Sequence, residues 1–376
     1  MDKRTAIVIG AGIVGLATAR SLAKRGFSVK VFERTNKATG ASIRNFGMIW
    51  PVGQTAGKMY ERAIRSRNIW KEIAQQGHIW HDPVGSLHLA YHPDEWQVLE
   101  ELYEVFTKEG RQVTLLNKDQ IAERSPASVQ QNLLGGLFSA DEIIVDPRES
   151  IAALPAYLQE QLHVEFHWGK CVSYIADQTV YIGNDEEHAA DLIFIASGAD
   201  FETLYPEIFS KIPLTKCKLQ MMRLKSQPDS WRIGPALCGG LSLIHYKSFT
   251  AASSLPALAK RYQEEMSEYL RWGIHVMVSQ NGKGELTIGD SHEYAMTHDP
   301  FDKEFINTMI LDYLKKFAQF KDWTVSESWN GVYPKLTNGD TDLFTSPEPY
   351  VYIVNGLGGA GMTLSFGFAE ELVAGL

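Results

Sequence analysis

Three glycines and one carboxylate near the start of the chain have the spacing of a phosphate and ribose cradle. Gly10-Ala11-Gly12-Ile13-Val14-Gly15 follows the short β-branched run Thr5 to Ile9 and opens a segment with helical spacing, Ile13 to Lys24. In such a strand–turn–helix, Gly10 permits the tight turn, Gly12 lets the backbone approach a pyrophosphate, and Gly15 lets the helix pack closely on the strand. The helix N-terminus at Ile13 and Val14 offers free N–H groups and partial positive charge to phosphates. A second strand, Phe27 to Phe32, ends at Glu33, 33 − 15 = 18 residues beyond the last glycine, with Arg34 beside it. The Glu33 carboxylate is placed to accept hydrogen bonds from an adenosine ribose and would repel a 2′-phosphate, which disfavours NADP. This much does not separate FAD from NAD.

Three later stretches bear on that choice. Thr39-Gly40-Ala41-Ser42-Ile43-Arg44-Asn45-Phe46-Gly47-Met48 follows the second strand directly, where a second phosphate and a flavin ring would lie. Asp191 to Ala199 is a strand ending in the small residues Ser197-Gly198-Ala199. Gly356-Leu357-Gly358-Gly359-Ala360-Gly361 then precedes a last helix beginning near Met362 and Thr363. The positive end of that helix would stabilise the negative charge at N1–C2=O of a reduced flavin.

Together these stretches resemble the D-amino acid oxidase-like flavoproteins, the group that contains glycine oxidase, sarcosine oxidase and D-amino acid dehydrogenase. The resemblance runs nearly end to end. It implies an FAD-dependent amine oxidoreductase acting on CH–NH or CH–NH2, of mixed α/β and α+β class. A discontinuous Rossmann-type FAD-binding domain (1–80, 141–212 and 325–376) would join a substrate domain (81–140 and 213–324) built on a large antiparallel sheet. It further implies that Ala41, Ser42, Arg44, Asn45, Gly47, Met48, Val172, Ser197, Gly198, Gly331, Gly358, Gly359, Gly361, Met362 and Thr363 join the first glycines, Glu33 and Arg34 around the cofactor. Ser42 to Pro51, with Ile288-Gly289-Asp290-Ser291-His292-Glu293, also resembles a branch associated with aminophosphonate breakdown.

Flavin oxidation of an amine needs the C–H beside nitrogen aimed at flavin N5 and a neutral amine, so the protein supplies position and electrostatics rather than an acid–base pair. The expected course is hydride transfer, hydrolysis of the imine to a carbonyl compound and an amine, and reoxidation by oxygen or another carrier. Trp329-Asn330-Gly331-Val332-Tyr333-Pro334 matches a stretch that in relatives such as glycine oxidase often carries an arginine for the substrate carboxylate; here that position is Tyr333. A tyrosine donates one hydrogen bond and lacks the bidentate grip of a guanidinium. An acidic group is then expected to be held by Tyr333 with Lys335, His245 or Arg44, with Asn45 and Met48 beside the flavin. The substrate is a small primary or secondary amine, with an aminophosphonate or its N-methyl derivative as one option and a glycine, sarcosine or D-amino acid as the other. Leu241 to Lys247 reads as a strand with His245 and Lys247 on one face and Tyr246 on the other.

No metal site is expected. His163 and His167 flank Glu165 at strand rather than zinc-protease spacing, and His78, His81 and His88 lack a matched partner set. Cys171, Cys217 and Cys238 have no C-x-x-C spacing and read as small buried residues of a reducing compartment. None falls in the Trp329 to Pro334 or Gly356 to Leu364 stretches, which favours noncovalent FAD.

The elements that would position these groups follow from periodicity. Helical spacing runs over Lys58 to Gln76, Pro93 to Lys108, Pro147 to about Gln161, Leu255 to Trp272 and Asp299-Pro300 to about Phe320. Strand patterns cover Gly85 to Tyr91, Val164 to Phe166, Thr179 to Ile182 and Tyr350 to Val354. With 376 residues and 44% hydrophobic composition, two domains are the natural expectation. The net charge of −9, from 36 basic and 45 acidic residues, argues against nucleic acid or an anionic membrane as partner. The apolar run Ala6 to Ala19 is cut by glycines and continues into Arg20, unlike a secretory signal, and no stretch has the ~18 apolar residues of a membrane span. A cytoplasmic location is expected. Two other functions fit the first βαβ unit alone: an NAD-dependent dehydrogenase, and a non-catalytic nucleotide-binding Rossmann protein.

Overall fold

In the computed structural model, which describes residues 3–376, the first βαβ unit forms where the pattern puts it. It consists of β1 (Thr5–Ile9), α1 (Ile13–Lys24) and β2 (Ser28–Glu33). The glycines explain how strand and helix approach so closely. Gly10 takes φ +103°, and a Cβ there would meet the Ala196 carbonyl oxygen at 2.4 Å. A Cβ on Gly15 would meet the Gly10 oxygen at 1.9 Å.

β1 and β2 are central strands of a six-stranded sheet, ordered Leu343–Glu348, Val351–Asn355, Leu192–Ile195, β1, β2, Glu165–Trp168. Every pairing is parallel except that of the Leu343–Glu348 edge strand, and the parallel strands come from three distant parts of the chain. Leu192–Ile195 is buried throughout, as a parallel strand covered on both faces must be. Beside the sheet, the last helix, Gly361–Ala374, packs against both α1 and Lys58–Gln76. Arg20, 1% exposed, joins the three helices by ion pairs to Glu72 and Glu370, both at 3.2 Å. Trp70 Nε1 donates to the Met362 carbonyl at 2.9 Å.

A nine-stranded sheet makes the second layer system and encloses a separate core with Pro93–Lys108 and Glu304–Phe317. It is antiparallel apart from the pairing of Ala236–Cys238 with Ser86–Ala90. Its longest ladder joins Leu214–Leu224 to Val325–Leu336, setting Thr215 opposite Lys335, Cys217 opposite Tyr333 and Leu219 opposite Gly331. Residues 325–336, assigned from sequence to the cofactor domain, therefore pair into this sheet. Between the two cores, Met48–Ile49, Ile143–Val145 and His81–Asp82 form a small sheet. Alternation sends Met48 and Ile144 to one core and Ile49, Ile143 and Val145 to the other.

Three expected elements differ. Leu255 to Trp272 is two helices, Leu255–Glu265 and Ser267–Arg271, because Met266 leaves helical geometry at φ −127°. The helix expected from Asp299-Pro300 starts at Glu304 and stops at Phe317. Leu241 to Lys247 is not a strand but the 3-10 turns Gly240–Ile244 and Lys247–Ala251. The turn fits under Tyr262 and Glu95, where a Cβ on Gly240 would meet the Tyr262 hydroxyl at 2.1 Å, and Leu241 N donates to the Tyr313 hydroxyl instead of a ladder.

Candidate functional site

A cavity of about 1570 Å³ runs from the Gly10–Gly15 turn to the face of the nine-stranded sheet. Its first end is a nucleotide cradle. Gly10, Gly12, Ile13, Val14, Glu33 and Arg34 line it. Glu33 is held by its own chain: Oε2 accepts from Ala11 N at 3.0 Å, and Oε1 accepts from Thr35 N at 3.1 Å and Thr35 Oγ1 at 2.7 Å. Arg34 pairs with Asp200 at 2.7 Å. Val172 is buried in the wall, and Cys171 beside it is exposed rather than buried as expected. Ser197 Oγ donates to the Asp200 carbonyl at 2.7 Å, and the Gly198 carbonyl accepts from Asn355 Nδ2 at 2.9 Å.

The middle of the cavity is formed by the 3-10 turn Ala41–Ile43 and by the last helix. Ser42 Oγ accepts from Ile13 N at 2.9 Å, satisfying one of the free N–H groups at the start of α1. Asn45 Nδ2 donates to the Ala41 and Ser42 carbonyls while its Oδ1 accepts from Gly47 N. Gly358 takes φ +56° with open space around it, and Gly358, Gly359, Gly361, Met362 and Thr363 all border the cavity. A Cβ on Gly361 would lie 3.6 Å from Ile13 Cγ2, so two helix N-termini meet at this point. Thr363 Oγ1 also accepts from Trp50 N at 2.9 Å. Two residues named with the cofactor set do not line the cavity. Gly15 serves helix packing, as its spacing implied. Gly47, at φ +71°, is where the chain passes Val145, whose carbonyl oxygen a Cβ would meet at 1.9 Å.

At the far end, one face of the sheet presents Gly331, Tyr333 and Lys335 at alternate positions, with Thr215 and Leu219 from the neighbouring strand. Arg44 lies over Gly331 and donates from Nη1 to the Asn330 carbonyl at 2.9 Å. Tyr333 is buried, and that burial holds its phenol far above the usual range, so it remains a neutral donor. Burial likewise pushes the neighbouring Cys217 thiol up to about 12. Lys335 Nζ donates to the Tyr294 hydroxyl at 2.9 Å. Met48 and Trp50 wall the cavity opposite Tyr246, whose hydroxyl donates to Met277 Sδ at 3.2 Å.

His245 and Tyr246 both border the cavity, contrary to the strand reading that separated them, because a turn has no alternation. His245 brings a group that sequence reasoning did not place in the cavity: His275, not singled out at all, with Asp290 and His292, which entered only through the branch resemblance. His275 and His292 are buried, and burial, the largest effect on each, depresses their imidazoles, His292 to about 4 and His275 well below its ordinary range. Burial also raises the Asp290 carboxyl well above its ordinary range. No local spacing marks these residues, which lie 30 and 17 positions apart as 275 − 245 and 292 − 275.

The geometry fits FAD on two structural counts. Gly10, Gly12 and Glu33 line one end of the cavity, and two helix N-termini converge beside the open space at Gly358. A family model described as "FAD dependent oxidoreductase" (DAO) matches residues 5–374. Among solved structures, glycine oxidase from Geobacillus kaustophilus superposes with a TM-score of 0.76 at 20% identity, covering 99% of this chain and 94% of that one. Among curated proteins, D-amino acid dehydrogenase 2 of Mesorhizobium japonicum is 23% identical over 98% of this chain and 96% of its own length. Glycerol 3-phosphate dehydrogenase of Caloramator mitchellensis is 28% identical over 39% of this chain and 31% of its own length. The match thus spans about a third of the length of the first of the curated relatives.

Proposed function

This chain belongs to the FAD-dependent oxidoreductase (DAO) family, and from that premise we propose that it oxidises a small primary or secondary amine carrying an acidic group, an aminophosphonate or its N-methyl derivative. Bound in the cavity, FAD supplies the two-electron acceptor for the C–H beside nitrogen. The family is defined by FAD, so the nicotinamide and non-catalytic alternatives are not favoured.

The observation that carries the substrate reading is the pairing of Tyr333 and Lys335 on one sheet face at the cavity end. Tyr333 offers a neutral O–H, and Lys335 a point charge that suits a tetrahedral oxyanion as well as a planar carboxylate. Arg44 is committed to the Asn330 carbonyl and braces the turn above them. At the other end, Gly10, Gly12 and the fixed Glu33 carboxylate would receive pyrophosphate and ribose. Ser42, Asn45 and Met48, together with the Gly358–Thr363 turn, would hold the rest of a noncovalent FAD, with the positive end of the last helix toward it. The cofactor domain is taken as 1–80, 141–212 and 325–376, less the strand that joins the other sheet. Among the described residues, no helix is long and apolar enough to cross a membrane.

The test is anaerobic flavin bleaching by glycine, sarcosine, D-alanine, proline and 2-aminoethylphosphonate with and without N-methyl. Bleaching by the aminophosphonates at rates well above the plain amino acids is expected. Rapid bleaching by D-alanine with none by the phosphonates would overturn the substrate reading, and a colourless protein that takes up no FAD would overturn the whole. Acid precipitation should release the flavin into the supernatant.

A further inference from the structure

We propose that His245, His275 and His292 form a mononuclear transition-metal site, backed by Asp290, in the wall of the same cavity. One ligand atom from each histidine lies within 4.8 Å of the other two. The ring centroids stand 3.6 Å apart for His245 and His275, 5.0 Å for His245 and His292, and 5.2 Å for His275 and His292. Zn–N bonds are about 2.0–2.1 Å, which places tetrahedral ligand atoms about 3.4 Å apart, so side-chain rotations of about an ångström close the set.

The hydrogen bonds decide what kind of ligand these rings can take. His292 Nδ1 donates to the Gly273 carbonyl at 2.9 Å, which leaves a lone pair on Nε2. His275 Nδ1 is buried with no partner, and its Nε2 lies 3.1 Å from Asp290 Oδ1 without forming a hydrogen bond. His275 is 4% exposed. His292, with one ring nitrogen held by a carbonyl and the other free, has the outer-shell arrangement that orients metal-binding histidines. Lone pairs accept and do not donate, so the recess suits an electron-pair acceptor rather than an anion. Three imidazoles select zinc, copper, nickel, cobalt or iron over magnesium and calcium.

Asp290 supplies an independent reason. It is 5% exposed, and its Oδ1, although 3.1 Å from His275 Nε2, makes no hydrogen bond, so a carboxylate here is costly unless a positive charge compensates it. A metal dication on the far side of His275 gives that charge. Three protein ligands leave a fourth position facing the cavity, near Lys335, where an acidic group on the substrate can complete the coordination. The site does not depend on which amine is oxidised, and metal content reads it without any flavin reduction.

The test uses untagged flavoprotein, gel-filtered into metal-free buffer and analysed by inductively coupled plasma mass spectrometry. One transition metal per flavin is expected, removable by dipicolinate and restored by Zn2+ or Co2+. His275→Ala and His292→Ala should lose the metal while retaining flavin absorbance, whereas His167→Ala leaves the content unchanged. Asp290→Asn should weaken affinity about 10- to 100-fold, as loss of an outer-shell partner does. Wild-type protein that is metal-free as isolated and takes up neither Zn2+ nor Co2+ in calorimetric titration overturns the proposal without recourse to any variant. So does a set of histidine variants that weakens amine binding and leaves metal content as it was.

Discussion

Lys335→Met isolates the charge that the substrate reading requires. Lys335 sits on the cavity face of its strand, two residues from Tyr333, and its Nζ donates to the Tyr294 hydroxyl. Methionine keeps most of the apolar stem and removes the ammonium. The backbone ladder to Thr215 and the bridge to Leu357 do not involve the side chain. Tyr294 is 50% exposed, so loss of its bond to Lys335 costs about 1 kcal/mol of folding stability or less. A hydrogen bond to a charged partner contributes about 1.5–3 kcal/mol, and about 1.4 kcal/mol is a factor of ten, so reduction by an acidic amine should slow roughly 10- to 150-fold. Tyr333→Phe removes a neutral donor of about 0.5–1.5 kcal/mol and should cost roughly two- to tenfold. The assay is anaerobic stopped-flow bleaching, as rate constant over Kd, for 2-aminoethylphosphonate and for ethylamine, which has the amine and no acid. Loss for the first with little change for the second is expected. Equal loss for both, or no loss for either, would refute the assignment of Lys335 to the acidic group.

Gly15→Ala puts a methyl within 1.9 Å of the Gly10 oxygen, and overpacking of this kind costs about 1–3 kcal/mol. The variant should show a lower thermal midpoint and a lower flavin-to-protein absorbance ratio, and retention of both would remove the packing argument. Ser42→Ala leaves Ile13 N without its partner and should cost about 0.5–2 kcal/mol, read by urea unfolding, unless bound FAD takes over that N–H. Glu142 is fully buried between Val52 N and Ser86 Oγ, and burial raises its carboxyl from 4.5 to about 7. A raised folded-state value means its contribution is complete below pH 4.5 and is lost as pH rises through 7. Glu142→Gln should therefore gain on wild type by up to about 3 kcal/mol across that window in urea midpoints, and a difference independent of pH would refute it.

The cofactor half was legible because its signals are local. Gly10, Gly12, Gly15 and Glu33 lie within one βαβ unit, and the tight turn and the close strand–helix contact each demand glycine within a few residues. The same locality gave the bounds of Ile13–Lys24, Lys58–Gln76 and Pro93–Lys108. Failures fall where tertiary contacts override pattern. The apolar–polar alternation of Leu241 to Lys247 looks like a strand, yet Gly239 and Gly240 let the chain turn beneath Tyr313, Phe317 and Tyr262. Gly47 seemed to face the cofactor because its neighbours do, but its positive φ answers to Val145 from a strand about a hundred residues away.

The substrate end fails the same test of locality, and the sheet shows why. Tyr333 gains Cys217 as a neighbour only through a ladder whose strands are more than a hundred residues apart in sequence. The histidine group needs more still. Met277 pairs with Gly289, and the backbones of His275 and Asp290 exchange hydrogen bonds just beyond that pair, so antiparallel register brings a carboxylate to an imidazole. His245 then arrives from a turn with no place in either strand. The residues proposed to receive pyrophosphate and ribose lie within one βαβ unit, whereas those proposed to hold the substrate are assembled by register. A change in register partners or in the Gly240 turn can alter the chemistry at this end and leave the Gly10–Gly15 motif untouched. On the proposed substrate reading, then, the strength of the glycine motif carries no information on specificity, and variation at Lys335, Tyr333 and the His275–Asp290 pair is the expected place for a change of substrate.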